Sequence, residues 1–518
     1  MPLRRLRTVR VAASLLLFLP VLFMFIDLTG ILPPWAANAL TFLQIIPAVV
    51  KIFSGAGAAA IGLALVVIMT ASFGRIYCST LCPLGTLQDI FSRLNRKKNS
   101  RRRFLFRRQN YLLHYGILAL TAALAMGGSL FLLNLLEPFS SFGRTAVTLL
   151  RPIAVLLNNG TASVLGAAHV YTLFTVPFRI PSPGAFALTF LFAGALFAMS
   201  YMRGRLFCNT LCPAGAFLGL VARVSLFRIV IDKAACKDCG LCEKVCKTGC
   251  IDSENMRVDF GACVGCFDCF DACPTVGLRY RAPRGGTPGR SGPRVNRRRR
   301  TLLRSTAGAA MMVLPGGDTL RAVLPVPTGK SRSKYPISPP GSGGTARFTS
   351  RCTACHLCVS ACPTQVLSPA FLEYGPCGIL QPRMDYSAST CNYDCVLCGQ
   401  VCPSGAILPL AAESKKLVQI GKAKFVKDDC IVITKKTECG ACSEHCPTKA
   451  VHMIKSEGLF LPEVNEELCI GCGSCEHPCP STPNKAIYVE SNPVHLAAKK
   501  PEVKKAEPQV KQGADFPF

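Results

Sequence analysis

Apolar residues fill the first two-fifths of the chain in four blocks, approximately 11–32, 52–73, 112–136 and 185–202. Each is long enough, or nearly so, to cross a hydrocarbon layer of about 30 Å. Lipid offers no partners for open backbone N–H and C=O groups, so each block is expected to be helical. Segments 145–157 and 161–177 are moderately apolar but too short to span, and read as interfacial or re-entrant on the outer side. Residues 281–300 and 326–349, rich in Gly, Pro, Ser and Arg, read as linkers. The Lys/Pro/Ala/Glu tail from about 492 is expected to be disordered.

Composition agrees with a membrane part: half of the 518 residues are hydrophobic, and a mean hydropathy of +0.34 is too apolar for an ordinary soluble enzyme. The net charge of +30 could suggest nucleic acid. Its arginines, however, sit at 4–10, 93–108 and 279–304, each beside an apolar segment, as cytoplasmic membrane flanks do. No nucleic-acid partner is expected. Loop 75–108 carries ten Lys or Arg, whereas loop 138–183 carries only Arg144, Arg151 and Arg179. With Arg4, Arg5, Arg7 and Arg10 ahead of the first span, the topology reads N-terminus in, four crossings, and residue 203 onward in the cytoplasm.

A repeat joins the helical blocks to their chemistry. Gly74-Arg75-Ile76-Tyr77-Cys78-Ser79-Thr80-Leu81-Cys82-Pro83 recurs as Gly204-Arg205-Leu206-Phe207-Cys208-Asn209-Thr210-Leu211-Cys212-Pro213. The helical part thus reads as two related hairpins, each ending in a Cys-x3-Cys-Pro, which a pseudo-twofold packing could bring together.

The 30 cysteines lie in tight clusters, unlike the disulfide framework of a short secreted domain. Cys236, Cys239, Cys242 and Cys246 have Cys-x2-Cys-x2-Cys-x3-Cys spacing, repeated at Cys263, Cys266, Cys269 and Cys273 before Pro274. This is the two-cluster ferredoxin run, in which a tight loop wraps three thiolates around one cubane and the fourth reaches the other. One cluster is expected from Cys236, Cys239, Cys242 and Cys273, and another from Cys263, Cys266, Cys269 and Cys246. Four more groups follow: Cys352/Cys355/Cys358/Cys362, Cys391/Cys395/Cys398/Cys402, Cys430/Cys439/Cys442/Cys446 and Cys469/Cys472/Cys475/Cys479, closed by Pro363, Pro403, Pro447 and Pro480. Their expected exchange of last cysteines is nested, first group with fourth and second with third. Zinc is the rival metal, but its sites need two paired knuckles rather than this run.

Six groups use 24 cysteines, so six [4Fe–4S] clusters are expected. Cys78, Cys82, Cys208 and Cys212 are candidates for a seventh iron–sulfur centre, the rival being a redox-active or structural thiol set. Cys250 and Cys377 remain; Cys250 reads as a buried thiol. Cys352-Thr353-Ala354-Cys355-His356 matches the c-type haem signal, but using it would strip a ferredoxin run of two ligands, so no haem is expected.

Arg299-Arg300-Thr301-Leu302-Leu303-Arg304, followed by a mild apolar stretch, looks like a twin-arginine export signal; the rival reading is an arginine-rich linker. Domains are therefore expected at 1–230 (helical), 231–280 (two-cluster), 281–349 (linker and signal), 350–491 (four-cluster) and 492–518 (tail). The fold class is four transmembrane α-helices in two hairpin repeats plus α+β ferredoxin-like domains.

On these motifs, residues 1–280 resemble the NapH/NosR-type membrane ferredoxins, and 297–490 resemble the NapG/MauM-type ferredoxins that begin with a twin-arginine signal. The resemblance implies a fused quinol dehydrogenase in a bacterial inner membrane. Residues 231–300 would be cytoplasmic and 350–518 periplasmic, passing electrons to a periplasmic reductase or cytochrome. Lys247 departs from the family's usual proline after the fourth cysteine. Quinol oxidation also releases protons; candidate acceptors are Glu137, His169 and His114. Two rivals to this function are electron donation for metal or thiol reduction during maturation of another enzyme, and a passive wiring subunit of a larger redox complex.

Overall fold

The computed structural model describes residues 4–53, 57–98, 104, 106, 109–179, 182–275, 277–282, 333–456 and 458–500. The twin-arginine motif at Arg299-Arg300 lies outside them.

Helix α1 (Arg4–Ile26) runs unbroken from the N-terminal arginines. It ends where the Asp27 carboxylate accepts the N–H groups of Thr29, Gly30 and Leu32 at 2.9–3.0 Å and Pro33-Pro34 follow. Helices α2 (Pro34–Thr41) and α3 (Ile45–Ile52) meet at 100°, with Gln44 in the break. Helix α4 (Gly57–Phe73) returns and stops at Gly74, whose φ of +81° suits glycine. The short α5 (Tyr77–Thr80) and α6 (Pro83–Lys98) follow.

The second half repeats this plan. Helix α7 (Tyr111–Met126) ends at Gly127-Gly128, α8 (Phe131–Leu136) and α9 (Pro138–Thr145) are parted at Glu137, and a π-helical turn at 146–150 leads into α10 (Arg151–Ala167). Helices α11 (Pro183–Arg203), α12 (Leu206–Thr210) and α13 (Pro213–Ala222) complete it. The halves interlock, α6 packing on α11 and α13 on α4.

By length and composition, α1 and α11 can cross a membrane, and the bent α2–α3 pair could count as a third span. The expectation of four spans meets shorter helices: α4 has 17 residues and α7 has 16, against the roughly 20 a straight crossing needs. The block 112–136 is split by the glycine pair. Segment 145–157 and the first part of 161–177 merge instead into the π turn and α10, while 168–177 are turn and irregular backbone.

Two ferredoxin domains sit at opposite ends of α1. The proximal one, beside the N-terminal arginines, closes β1 (Arg228–Ile231) on β4 (Leu278–Arg281) in antiparallel register, Ile231 facing Leu278, with a hairpin β2–β3 (Ile251–Asp252, Arg257–Val258) between. The distal one pairs β5 (Leu367–Pro369) with β6 (Pro382–Met384), β7 (Val418–Phe425) with β10 (Ile487–Ala497), and β8 (Val451–Ser456) with β9 (Leu459–Val464). Its limits differ from the expected ones. Residues 333–349, read as linker, already belong to it: Ile337 is buried and accepts the Met384 N–H at 2.9 Å. At the other end β10 carries the fold past 492, because alternating Ile487 and Val489 are buried against β7.

Candidate metal centres

Tight turns place the thiols. In the four regularly spaced runs, the residue before the second cysteine and the residue after it both take left-handed backbone: Asp238 and Gly240, Gly265 and Phe267, Ala354 and His356, Gly471 and Gly473. Such alternation curls N–H groups into a concavity that favours anionic sulfur; the Ala354 N–H, for example, donates to Cys352 Sγ at 3.4 Å.

Four spaces are lined by four cysteines each. Open sides included, Cys236, Cys239, Cys242 and Cys273 border about 430 Å³; Cys352, Cys355, Cys358 and Cys402 about 290 Å³; Cys362, Cys391, Cys395 and Cys398 about 360 Å³; and Cys430, Cys439, Cys442 and Cys479 about 350 Å³. Two further sets lie within electrostatic reach of one another, Cys246 with Cys263, Cys266 and Cys269, and Cys446 with Cys469, Cys472 and Cys475. The proximal grouping matches the expectation. The nested pairing of the distal domain is overturned: first exchanges with second and third with fourth. Spacing could not reveal this, because which cage a fourth cysteine joins depends on how the chain beyond it folds back, not on its own loop.

The donor set fits iron–sulfur clusters. Burial pushes the thiols of Cys242, Cys391 and Cys442 up to about 11, so these sulfurs stay protonated until a cation draws the proton off. Cys246 is brought down to about 6, chiefly by hydrogen bonding with Cys250, whose Sγ lies 3.5 Å away. Cys250 is accordingly a buried thiol against a ligand. Cys377, at the junction with the helical body, accepts from Ser129 Oγ at 3.4 Å. His356 is buried, with Nε2 2.7 Å from the Leu380 carbonyl.

The two Cys-x3-Cys-Pro motifs are brought together reciprocally. Arg75 reaches across to Asn209 Oδ1 at 2.9 Å and to the Cys208 carbonyl at 3.3 Å, while Arg205 donates to the Cys78 carbonyl. Gly85 and Gly215 permit this, since a Cβ would stand 2.2 Å from the Cys78 carbonyl oxygen or 2.3 Å from that of Cys208. Cys78, Cys82, Cys208 and Cys212 are all buried and face one another.

On the proximal side a buried ion network bolts this quartet to the two-cluster domain. Asp89 holds Arg10 and Arg205 at 3.0 Å and Lys247 at 3.5 Å, and Lys247 also reaches Asp268 at 2.9 Å. Burial would raise the Asp89 carboxyl, but Arg205, Lys247 and Arg10 hold it far below the usual range. Lys247 in place of the family's proline therefore has a structural reason. Asp89 itself was missed in the sequence, although it is the sole carboxylate between Asp27 and Glu137 and stands in a strongly basic loop.

On the distal side Tyr77, next to the quartet, donates to Gln44 Oε1 at 2.9 Å. The Tyr77 ring is in electrostatic reach of Glu137, and Arg144 of Glu137, Cys352 and Cys355. Both helix breaks, Gln44 and Glu137, thus converge between the quartet and the Cys352 set. Glu137 is buried and caps α9 by accepting the Phe139 N–H at 2.9 Å and that of Ser140. His114 is buried beside Cys212 and Asn209. His169 is exposed at the end of α10 and joins neither.

Such cages at both ends of a helical body define an iron–sulfur electron-transfer protein of the ferredoxin type. A family model described as a 4Fe-4S binding domain matches residues 56–101 and 185–232, the two copies of the repeat. One described as a 4Fe-4S dicluster domain matches 351–406 and 436–482, the same two pairs that the distal cages form. The ferredoxin-type protein NapF of Escherichia coli strain K12 is 27% identical over 157 residues, 30% of this chain and 87% of the relative. The methylamine utilization ferredoxin-type protein MauM of Methylorubrum extorquens strain AM1 is 31% identical over 189 residues, 35% of this chain and 84% of the relative. MauM of Methylophilus methylotrophus is 30% identical over 181 residues, 33% and 76% respectively. No solved structure matches. The chain belongs to the ferredoxin-type 4Fe-4S proteins that include MauM.

Proposed function

We propose that this protein spans a bacterial inner membrane and oxidises quinol, passing electrons along six cubanes and a seventh centre at Cys78, Cys82, Cys208 and Cys212 to a periplasmic reductase or cytochrome. One observation carries the reading: cysteine sets run from one end of α1 to the other, and the buried quartet stands between the two domains. Each cluster, when bound, supplies one-electron storage. The chain's own residues hold the sulfurs, exclude water around the quartet and place Tyr77, Gln44 and Glu137 between it and the Cys352 set. Of the three candidate proton acceptors, Glu137 and His114 are buried near the quartet and His169 is exposed at the end of α10.

The basic N-terminus fits a cytoplasmic proximal domain, and the Arg299-Arg300 motif fits export of the distal one. Reporter fusions after residue 500 should read periplasm; a cytoplasmic signal removes the export claim. Anaerobic protein should bleach at the cluster absorbance on adding a menaquinol or ubiquinol analogue. Failure to bleach returns it to a passive wiring role. Iron content should fall when Cys78, Cys82, Cys208 and Cys212 are all changed to Ala, and unchanged iron eliminates the seventh centre.

A further inference from the structure

The distal interface is not closed throughout. Between α10, the segment before α11 and the first half of the distal domain lies a cleft of about 1170 Å³, including its open mouth. Leu367 lines both this cleft and the cage of Cys362, Cys391, Cys395 and Cys398, so the two spaces adjoin at that side chain. Arg151 and Arg179 flank the cleft, and Asp385 and Ser387 add a carboxylate and a hydroxyl. Arg151 lies in charge contact with Cys362. The opposite wall is α10, with Val155 facing in and Ile153, Leu156 and Leu157 exposed on the outside of the same helix.

We infer that this cleft binds the head group of a lipid-borne quinol, its apolar tail leaving along α10. The inference rests on the quinol reading above and gives that reading a place. The chemistry matches an amphiphile: polar groups near the sulfur set, an apolar flank toward lipid, and an inner volume of about 440 Å³, within the about 300–1,000 Å³ of small-molecule pockets. Glu137, by contrast, is enclosed and already occupied by two backbone N–H groups. Oxidation in the cleft would break the two O–H bonds of the quinol. Both protons pass to solvent at the open mouth, since Asp385 is already held by Ser387 and Arg383. The two electrons pass one at a time across Leu367 to an oxidised iron–sulfur cluster held by Cys362, Cys391, Cys395 and Cys398.

The test uses the full iron-loaded chain in anaerobic lipid vesicles with a photoreactive ubiquinone analogue. Adducts should map to α10 and residues 365–388. Ser387→Trp, at an exposed lining position, should cut both labelling and quinol-driven bleaching roughly tenfold, the loss expected from about 1.4 kcal/mol of binding. Dithionite-driven bleaching should be unchanged. Because Arg151 also donates to the Val359 carbonyl, Arg151→Gln is read alongside the tryptophan variant rather than alone. Adducts beside Gln44 or Glu137, with S387W labelled and bleached like the parent, overturn the cleft and leave quinol oxidation standing. A parent protein that dithionite bleaches but quinol neither labels nor bleaches overturns both.

Discussion

The two ferredoxin domains are held to the same helical body by opposite means. At the proximal end, Asp89 and Asp268 are buried among Arg10, Arg205 and Lys247, so charge fixes the register. At the distal end, among the described residues, side-chain donors rest on backbone carbonyls instead of ion pairs: Asn38 on Gln400, Arg151 on Val359, Arg179 on Gln365 and Ala388, Ser182 on Pro369. Glycines let the surfaces touch there, since a Cβ on Gly143 would stand 2.3 Å from the Cys355 carbonyl oxygen. Buried charge tolerates no gap, because a lone ion out of water is costly. Carbonyl contacts can leave one, and the distal side is where the large cleft opens.

The contrast can be broken from either side. Asp89→Asn leaves buried Arg205 without a carboxylate and leaves Arg10 and Lys247 only Asp268, and should loosen the proximal domain by about 3–5 kcal/mol, read as hydrogen exchange at β1 and β4. Protection equal to the parent's would mean the network is incidental. Gly143→Ala forces backbone apart only at the distal face and should cost about 1–3 kcal/mol, with protease sensitivity rising in the distal domain alone. Asn38→Ala removes one neutral hydrogen bond and should cost about 0.5–1.5 kcal/mol; a larger effect would mark α2 as a principal anchor.

Acid should separate the ends with the smallest effect. His495 lies in the distal domain with Nε2 3.0 Å from Ser338 Oγ, and burial brings it down to about 4. The unfolded chain takes up the proton near pH 6.5 while the folded imidazole stays neutral, so support from this residue is full above pH 6.5 and is lost as pH falls toward about 4. Asp89 stays ionised through that window. Circular dichroism should show His495→Gln flattening the distal response; an unaltered acid limb would assign the sensitivity elsewhere.

Thiol spacing was enough to read the cages, since three cysteines in one tight loop are a local fact. The reciprocal quartet was legible for a related reason: two copies of a ten-residue motif imply two similar turns. What escaped was long-range. Which fourth cysteine crosses to which loop depends on strand order, and the nested guess failed there. Hydropathy saw a continuous block at 112–136 because a near-neutral glycine pair barely lowers a window average, yet Gly128 at φ +81° ends the helix. Glu137 was legible as a candidate proton acceptor; Gln44 was not singled out, and the convergence of both on Tyr77 follows from helix packing alone.

The crossed arginines carry a consequence for biogenesis. Arg75 completes the second motif and Arg205 the first, so a chain stalled after α6 owns two thiols and an unmatched guanidinium. Iron delivered at that stage finds half a nest. Were the quartet to hold the centre proposed above, its assembly would have to wait for translation to reach α13, which would make it a checkpoint on completion of the helical body.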